Sequence, residues 1–289
     1  MSRITKIKNI SCRTLKIIGT PIGNSMDLSP RGIEAFEKAD LILCEDTRIT
    51  KKLCKLRNIR TQKLISFNEI NERKKVNFVI NEINAGKNVA LSCDAGMPLI
   101  SDPGYKLVEA CIKNDISIDV VPGPSSIITA LVSSGLSSVN FYFAGFPSRK
   151  KNERFVRLKK LIDLESTIIW FESPKRVITF LEDLVIIFGN RKAVVSRELT
   201  KVFQEVLRDD LNSLISKLKS KEFVKGEFVI LLEGFAPPRR KLINNDVKKK
   251  IKKLLKVDTL KSVVEKISNE TDLSKKIVYN EALKIKDDK

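Results

Sequence analysis

The amino-acid sequence predicts an α/β protein with two α/β domains and a small, basic, all-helical C-terminal domain. Short apolar runs alternate with helical patterns as far as Val121, and a second such series begins near Asn140. Lysine-rich helical patterns follow Phe235. Apolar runs of this length, bounded by turn residues, are typical of buried strands, and their alternation with helices is typical of α/β folds.

The first series predicts an N-terminal α/β domain over residues 1–135. Because each strand is followed by a helical pattern, the sheet should be mostly parallel. Ser29 before Pro30 is typical of a helix N-cap, and it predicts a helix that runs to about Lys38. The predicted strands are Leu15–Ile18, Leu41–Cys44, Leu64–Phe67, Val89–Leu91 and Ile118–Val121.

The second series predicts another α/β domain over residues 136–236, with the boundary at Gly135–Ser138. A helix is expected over about Asn152–Leu164. Ser173 before Pro174 repeats the cap signal and predicts a helix that opens there and runs to Phe188. The predicted strands are Phe141–Ala144, Thr167–Phe171, Ala193–Ser196, Val206–Leu207 and Phe228–Leu232.

The last part of the chain predicts a separate helical domain over residues 240–289, after a linker at Ala236–Lys241. Residues 237–289 hold 16 Lys and Arg against 8 Asp and Glu. Helical patterns occupy Val247–Lys256, Leu260–Ser268 and Leu273–Ile285. The last two patterns fit either a helix-turn-helix or a plain helical hairpin.

Charge and composition restrict the function. The formal charge of +19 favours a polyanionic partner such as nucleic acid, or an acidic membrane surface, although a lysine-rich composition would also produce it. No apolar run approaches the roughly 18 residues that span a bilayer, and the N-terminus lacks the apolar core of a signal peptide. The sequence therefore predicts a soluble, cytoplasmic protein that does not enter membranes.

The cysteine and histidine content limits the kinds of metal site and catalytic group that the chain can form. The five cysteines include no C-x-x-C pair, which predicts reduced thiols and no metal site. The chain has no histidine, so hydrolases that pair serine or cysteine with histidine are excluded. Any proton transfer must use Asp, Glu, Lys, Tyr or solvent.

The segment Ser92–Gly104, which reads SCDAGMPLISDPG, is the most specific motif in the chain. An apolar strand precedes it, and a helical pattern over Tyr105–Asn114 follows. Parallel α/β sheets bind ligands at the carboxyl ends of their strands, which is where this loop would lie. The segment is therefore a candidate ligand loop, although a structural turn has the same composition.

Other loops of the first series carry polar or glycine-rich motifs at strand ends. Gly19–Asn24 matches neither the dinucleotide nor the P-loop pattern, but it could approach a nucleoside through its backbone. Pro122–Ser126 opens a helix whose N-terminus could bind an anion, or simply forms a tight turn. Cys44–Arg48 places two carboxylates and a guanidinium after a strand, where Asp46 or Thr47 could equally cap a helix.

Three mixed-charge motifs of the second series, Glu172–Arg176, Arg197–Lys201 and Lys225–Phe228, also lie beside strands. Surface ion pairs would explain each of them separately. Their repeated placement favours a shared cleft.

In order and spacing, the motifs TPIGN, CEDTR, SCDAGMPLISDPG, PGPSS, ESPKR, RELTK and KGEFV resemble those of the ribosomal RNA small subunit methyltransferase I family, part of the tetrapyrrole methylase-like superfamily. The resemblance covers about Leu15–Gly234. It implies two α/β domains with S-adenosylmethionine in the cleft between them, usually as a homodimer. It also implies 2′-O-methylation of a decoding-centre cytidine in 16S rRNA, with a separate N4-methyltransferase that modifies the same nucleotide.

The resemblance implies roles for particular residues. Glu45, Asp46 and Arg48 would face the substrate, with Asp46 as the favoured proton acceptor. The family commonly has histidine at its counterparts of Ile49, of Asn68–Ile70 and of Lys175, and this chain has none. The residues expected to bind the cofactor are Pro21, Ile22, Gly23, Asp94, Ala95, Gly96, Met97, Ile100, Ser101, Pro122, Gly123 and Ser125.

Two alternatives stay open, a second enzyme of the same superfamily and a protein of a different class. The same superfamily includes C-methyltransferases of porphyrin precursors, and an acidic tetrapyrrole would also favour a basic protein. A non-catalytic regulator could bind DNA with the terminal helix pair, although that reading leaves the strand-end motifs unexplained.

Overall fold

The computed structural model describes residues 13–60, 63–221, 225–237, 243–271 and 273–287. The chain divides into two compact units, one that ends at Phe235 and one that begins at Ala236. Both β-sheets lie in the first unit, so the predicted boundary at residue 135 falls inside it. Within the described part of the chain, no helix is long and apolar enough to cross a membrane.

The first sheet has five strands, all parallel, as the alternation of strands and helices predicts. Its order is β3-β2-β4-β1-β5, so β1 lies between β4 and β5 and the loops after these three strands are neighbours. The central β2 and β4 are buried along their whole length, as expected for strands covered on both faces. The strands are β1 (Thr14–Ile18), β2 (Leu41–Cys44), β3 (Lys63–Ser66), β4 (Val89–Ser92) and β5 (Ser117–Val121).

Helices pack on both faces of this sheet and produce two hydrophobic clusters, one on each side. The predicted cap at Ser29 is present, because its hydroxyl accepts a hydrogen bond from the Gly32 amide at 3.0 Å. The helices of this series are α1 (Pro30–Lys38), α2 (Thr47–Leu56), α3 (Glu72–Asn84), α4 (Tyr105–Lys113) and α5 (Ser126–Ser134).

The second sheet has the order β6-β7-β10-β8-β9. Only β6 and β7 run parallel, while the pairs β7–β10, β10–β8 and β8–β9 are antiparallel. One face packs against helices α6 (Lys151–Lys159), α7 (Val177–Phe188) and α8 (Leu211–Lys219), and the other face packs against α5. The strands are β6 (Phe141–Phe143), β7 (Thr167–Glu172), β8 (Lys192–Arg197), β9 (Glu205–Asp210) and β10 (Phe228–Leu232).

The predicted helix start at Ser173 is wrong. Helix α7 begins at Val177, and the residue before it makes no side-chain cap. The Ser173 hydroxyl donates to Glu172 Oε1 at 3.3 Å instead of capping the helix. The Ser173 carbonyl accepts from the amides of Arg176 and Val177, so a turn separates β7 from α7.

The second unit contains three helices, α9 (Asn245–Leu254), α10 (Leu260–Glu270) and α11 (Lys275–Asp287). They pack on one another around Ile251, Val263, Ile267 and Val278. The predicted linker lies partly outside the described residues, and Asp272, between α10 and α11, lies outside them. The sequence left two roles open for α10 and α11, binding nucleic acid or only supporting this core, and both stay predictions.

Candidate ligand cleft between the two sheets

Three loops at the carboxyl edge of the first sheet are joined by hydrogen bonds from their backbone amides. The Thr20 amide donates to the Gly96 carbonyl at 2.8 Å, and the Gly96 amide donates back to Thr20 at 3.1 Å. The Gly123 amide donates to Met97 Sδ at 3.3 Å. The strand order β4-β1-β5 explains this junction, because it makes the loops after these strands neighbours.

The junction depends on two glycines in direct backbone contact. A Cβ atom on Gly123 would lie 2.7 Å from the Cα and carbonyl carbon of Gly19. A Cβ on Gly19 would lie 2.6 Å from the Gly123 backbone. Since backbone atoms cannot rotate away as a side chain can, both positions require glycine.

The loop Ser92–Gly104 has an unusual backbone. Leu99 and Ser101 have φ angles of 73° and 66°, in the left-handed region that bulky residues rarely adopt. The buried Glu72 fixes the end of the loop by accepting from the amides of Gly104 at 3.1 Å and Lys106 at 3.0 Å. Backbone strain of this kind is concentrated at functional sites, and here it faces a cleft.

That cleft has a volume of about 410 Å³ and lies between the loop, the N-terminus of α5 and the second sheet. Residues from motifs far apart in the chain line it together. Seven of the residues expected to bind a cofactor line it: Asp94, Ala95, Gly96, Met97, Ile100, Ser101 and Ser125.

The other five expected cofactor residues do not line the cleft. Ile22 lines an adjoining recess of about 60 Å³ with Ala95 and Leu199. A Cβ on Gly23 would lie 2.6 Å from Thr200 Oγ1, so this loop packs against the second sheet. Pro21 is buried and Pro122 is exposed, while Gly123 lies in the glycine contact.

The second sheet supplies the opposite wall of the cleft. Two of the mixed-charge motifs line it, through Glu172–Pro174 and Gly226–Phe228. The third, Arg197–Lys201, contributes Leu199 to the recess and supports Glu227, because Lys201 Nζ lies 3.1 Å from Glu227 Oε2. The shared cleft that the sequence favours is therefore where these motifs meet.

Sequence reasoning missed several residues of the cleft. Asp102 belongs to the same loop as Asp94, and Ser126 and Ile127 follow Ser125, so their neighbours could have indicated them. Phe146 and Phe171 stack in a tilted arrangement with ring centroids 5.4 Å apart. No motif indicated these two, because their place in the cleft depends on how the two sheets pack.

Acidic side chains gather beside the cleft. The Asp46 amide donates to Asp94 Oδ1 at 3.1 Å, which joins the loops after β2 and β4. Burial raises the pKa of Glu45, Asp94 and Asp102 above the ordinary range, and neighbouring carboxylates raise it further. Acids with a raised pKa are better proton acceptors near neutral pH than ordinary carboxylates.

Asp46 has the opposite electrostatic environment. It is the N-cap of α2, accepting from the Arg48 amide at 2.8 Å, and it also binds the Arg48 guanidinium at 2.6 Å. These bonds to Arg48 lower the pKa of Asp46 to about 2. Asp102 lines the cleft, whereas Glu45, Asp46 and Arg48 do not. Position and raised pKa together favour Asp102 over Asp46 for accepting a proton, and Glu45 has only the raised pKa in its favour.

The cysteines of this unit are free and buried at positions 44, 54, 93 and 111, while Cys12 lies outside the described residues. Burial raises the pKa of Cys54 and Cys111 to about 11, which makes them poor nucleophiles. In the described part of the chain, no group of three or more Cys, Asp and Glu side chains is arranged to hold a metal ion.

Comparison with known proteins agrees with the fold and with the family that the sequence resembles. Residues 14–215 match the family model "Tetrapyrrole (Corrin/Porphyrin) Methylases". Ribosomal RNA small subunit methyltransferase I of Thermotoga maritima is 43% identical over 221 residues, which cover 76% of this chain and 98% of that protein. Its namesake from Buchnera aphidicola is 38% identical over 277 residues, 94% of this chain and 96% of that protein.

Solved structures show the same fold at low identity. A cobalt precorrin-4 methyltransferase matches with a TM-score of 0.56 and 17% identity, over 77% of this chain and 95% of that one. Uroporphyrin-III C-methyltransferase from Thermus thermophilus matches with a TM-score of 0.54 and 14% identity, over 75% of this chain and 96% of that one.

Proposed function

The chain belongs to the tetrapyrrole methylase family, and we propose that it methylates ribosomal RNA of the small subunit with S-adenosylmethionine as the methyl donor. More specifically, we propose 2′-O-methylation of a decoding-centre cytidine in 16S rRNA. The observation that carries the proposal is the cleft, where the strained loop and the N-terminus of α5 face the second sheet. The relatives that cover nearly the whole chain carry the name of an rRNA methyltransferase.

The residues of the cleft fit this methyl donor. Its volume of about 410 Å³ lies in the range of small-molecule sites. Ile100, Ile127 and Val229 provide apolar surface for an adenine ring. The amides at the start of α5 can bind a carboxylate, and the Asp94 carboxylate can bind an ammonium or a hydroxyl group. We propose that Pro21, Ile22, Gly23, Pro122 and Gly123 support this wall from behind.

When bound, the sulfonium group supplies an electrophilic methyl carbon. The protein must then hold the attacking oxygen in line with that carbon and exclude water. We propose that Glu45, Asp46 and Arg48 lie on the substrate side. Glu45 or Asp102 would accept the hydroxyl proton, because burial raises the pKa of each and the chain has no histidine for this task.

Incubation with labelled S-adenosylmethionine and isolated small subunits tests the function. We expect label in 16S rRNA, on the ribose of one cytidine. Label in uroporphyrinogen III instead would favour the porphyrin alternative. Binding to DNA without methyl transfer would favour a regulator.

Replacing Asp94 tests the cofactor site. We expect Asp94→Ala to weaken S-adenosylmethionine binding by at least about a hundredfold, because a charge-assisted bond is worth about 1.5 to 3 kcal/mol and the anchor of the Asp46 loop is also lost. Isothermal titration calorimetry measures this. Asp115→Asn is the matched control, since this exposed position has a φ of 53° that asparagine tolerates. Unchanged affinity in Asp94→Ala would remove Asp94 from the site.

The basic second unit provides a place for rRNA phosphates. Five lysines of the α9 region, Lys249, Lys250, Lys252, Lys253 and Lys256, line a shallow groove with Asp246. Lys250 also forms an ion pair with Glu270 at 2.5 Å, and Lys248, which does not line the groove, pairs with Glu281 at 2.6 Å. We propose that the groove binds the RNA backbone without reading its sequence.

Truncation after Phe235 tests this role. We expect the truncated protein to bind small subunits less tightly, with a salt dependence lower by about 0.7 to 0.9 logarithmic units per lost phosphate contact. Filter binding between 50 and 200 mM salt, on the order of physiological ionic strength, measures the slope. An unchanged slope, with S-adenosylmethionine affinity intact as the folding control, would exclude the unit from RNA binding.

We also propose that the enzyme works as a homodimer in the cytoplasm. Light scattering that gives the mass of one 32.7 kDa chain would contradict the dimer.

A further inference from the structure

A second cavity, of about 330 Å³, lies next to the cleft on the other side of Phe146. It is formed between the edge strand β6, the end of β7 and helix α6. Three aromatic side chains, Tyr142, Phe146 and Trp170, form its walls, and Arg157 and Lys160 lie at its rim. Phe146 lines both the cavity and the cleft, so a single ring separates them.

Strand alternation explains the aromatic walls. Phe143 points to the opposite face of β6, where its ring meets Phe171 with centroids 4.9 Å apart. Tyr142 therefore faces the α6 side, together with Trp170 of the neighbouring strand. Trp170 is 2% exposed and packs against Phe180 at 5.5 Å, which makes it a rigid floor, whereas Tyr142 is 46% exposed and accessible to a ligand.

The loop that carries Phe146 is held by two arginines. Arg154 Nη1 donates to the carbonyls of Ser148 at 2.8 Å and Arg149 at 3.2 Å. Arg176 Nη2 donates to the carbonyls of Pro147 and Ser148, each at 3.1 Å. The backbone that follows Phe146 is therefore held before any ligand arrives, and the Phe146 ring packs against Phe171 with centroids 5.4 Å apart. A backbone that is already ordered loses less conformational entropy when a ligand binds.

The rim of the cavity is strongly basic. Residues 149–160 contain seven Lys and Arg and one acidic residue, Glu153. Lys150 pairs with Glu153 at 3.1 Å and Arg154 pairs with Asp183 at 2.6 Å. Arg157 and Lys160 are exposed and form no ion pair with any described residue. Exposed cations at the edge of an aromatic cavity can bind phosphate.

We propose that this cavity binds one nucleotide of a single-stranded RNA segment, its base stacked on Tyr142 and Phe146 and its phosphate held by Arg157 and Lys160. Aromatic platforms combined with a basic rim are typical of sites for single-stranded nucleic acid. The inference rests on the proposed function, since the nucleotide would neighbour the one whose ribose enters the cleft. Phe146 would then separate two consecutive bases.

Trp170 is the single tryptophan of the chain and provides a direct readout. A short oligoribonucleotide such as pentacytidylate should quench its emission as a base enters the cavity. S-adenosylmethionine alone should leave the emission nearly unchanged, because Trp170 does not line the cleft. Anisotropy of the labelled oligonucleotide measures total binding in parallel.

Matched variants test whether RNA binding depends on the residues of the cavity, and not on positive charge or apolar surface in general. We expect Arg157→Ala to weaken the quenching affinity about tenfold, and Lys159→Ala less than twofold, because Lys159 is exposed on the same helix and does not line the cavity. We expect Tyr142→Ala to weaken it about tenfold and Tyr142→Phe much less, since stacking needs only the ring. Phe141→Ala, on the opposite face of β6, should match the wild type.

Two results would overturn the inference: RNA that binds by anisotropy without quenching Trp170, or equal losses within each matched pair. Methylation of small subunits by a protein that shows either result would leave the proposed function intact and remove only the cavity from it. The converse result, quenching with the expected variant pattern but no methyl transfer, would retain the RNA site and refute the proposed function.

Discussion

Gly123→Ala should lower the free energy of unfolding by about 2 to 3 kcal/mol and weaken S-adenosylmethionine binding by at least about a hundredfold. The added methyl would lie 2.7 to 2.8 Å from the Cα, carbonyl carbon and oxygen of Gly19. The loops after β1 and β5 would have to separate, and the bond from the Gly123 amide to Met97 would be lost. Urea denaturation and titration calorimetry measure the two effects.

Gly86→Ala is the matched control for this change. Gly86 has a positive φ, of 86°, which Gly123 does not share, and a Cβ at Gly86 meets nothing within 4 Å, so this variant loses a glycine without a backbone clash. Its cost should be about 1 kcal/mol of backbone strain, with normal cofactor affinity. A folded Gly123→Ala protein that binds S-adenosylmethionine as the wild type does would show that the junction of the three loops does not shape the cofactor site.

The sequence predicted the elements of this fold better than the contacts between them. Apolar runs such as Leu41–Cys44 identified strands, because a buried strand needs a continuous apolar stretch. Ser29 and Ser173 both precede a proline and were both predicted to be caps. The Ser29 hydroxyl does cap its helix, whereas the Ser173 hydroxyl donates to Glu172. A local pattern cannot reveal such competition from a neighbouring side chain.

Prediction of the site was limited in the same way, because local motifs could be recognised but contacts between distant segments could not. The loop Ser92–Gly104 could be selected from its composition, and its place at the edge of a parallel sheet follows from the strand before it. Its strained Leu99 could not be anticipated, since leucine at a φ of 73° contradicts the ordinary preference of the residue. Phe146 carries no motif either, and it reaches the cleft only because β6 pairs with β7 and the second sheet packs on α5.

Asp46 illustrates how capping and chemistry compete for one carboxylate. The sequence left both roles open, and the structure confirms the cap, with a guanidinium bound to the same oxygens. The resulting pKa of about 2 keeps the carboxylate ionised but makes it a weak base. In a chain without histidine, the partly buried acids Glu45 and Asp102, whose pKa values are raised, are therefore the proton acceptors that we propose.

Asp183→Ala should lower the free energy of unfolding by about 3 to 5 kcal/mol. The side chains of Arg154 and Asp183 are only 8% and 4% exposed, and Arg154 Nη2 lies 2.6 Å from Asp183 Oδ2. Removal of the carboxylate leaves a buried guanidinium without its counter-ion. Glu109→Ala is the surface control: its Lys113 partner is 68% exposed, so the loss should stay below about 1 kcal/mol.

Replacement of both members tests the cause of that loss. Because the cost of breaking a buried pair comes mainly from the charge left behind, Arg154→Met combined with Asp183→Leu should recover most of the stability. It should not recover oligoribonucleotide quenching of Trp170, since Arg154 also holds the carbonyls of Ser148 and Arg149 beside the cavity. If the double variant were as unstable as Asp183→Ala, the charge left behind would not be the main cause of the loss, and the hydrogen bonds between Arg154 and Asp183, which both variants lack, would be.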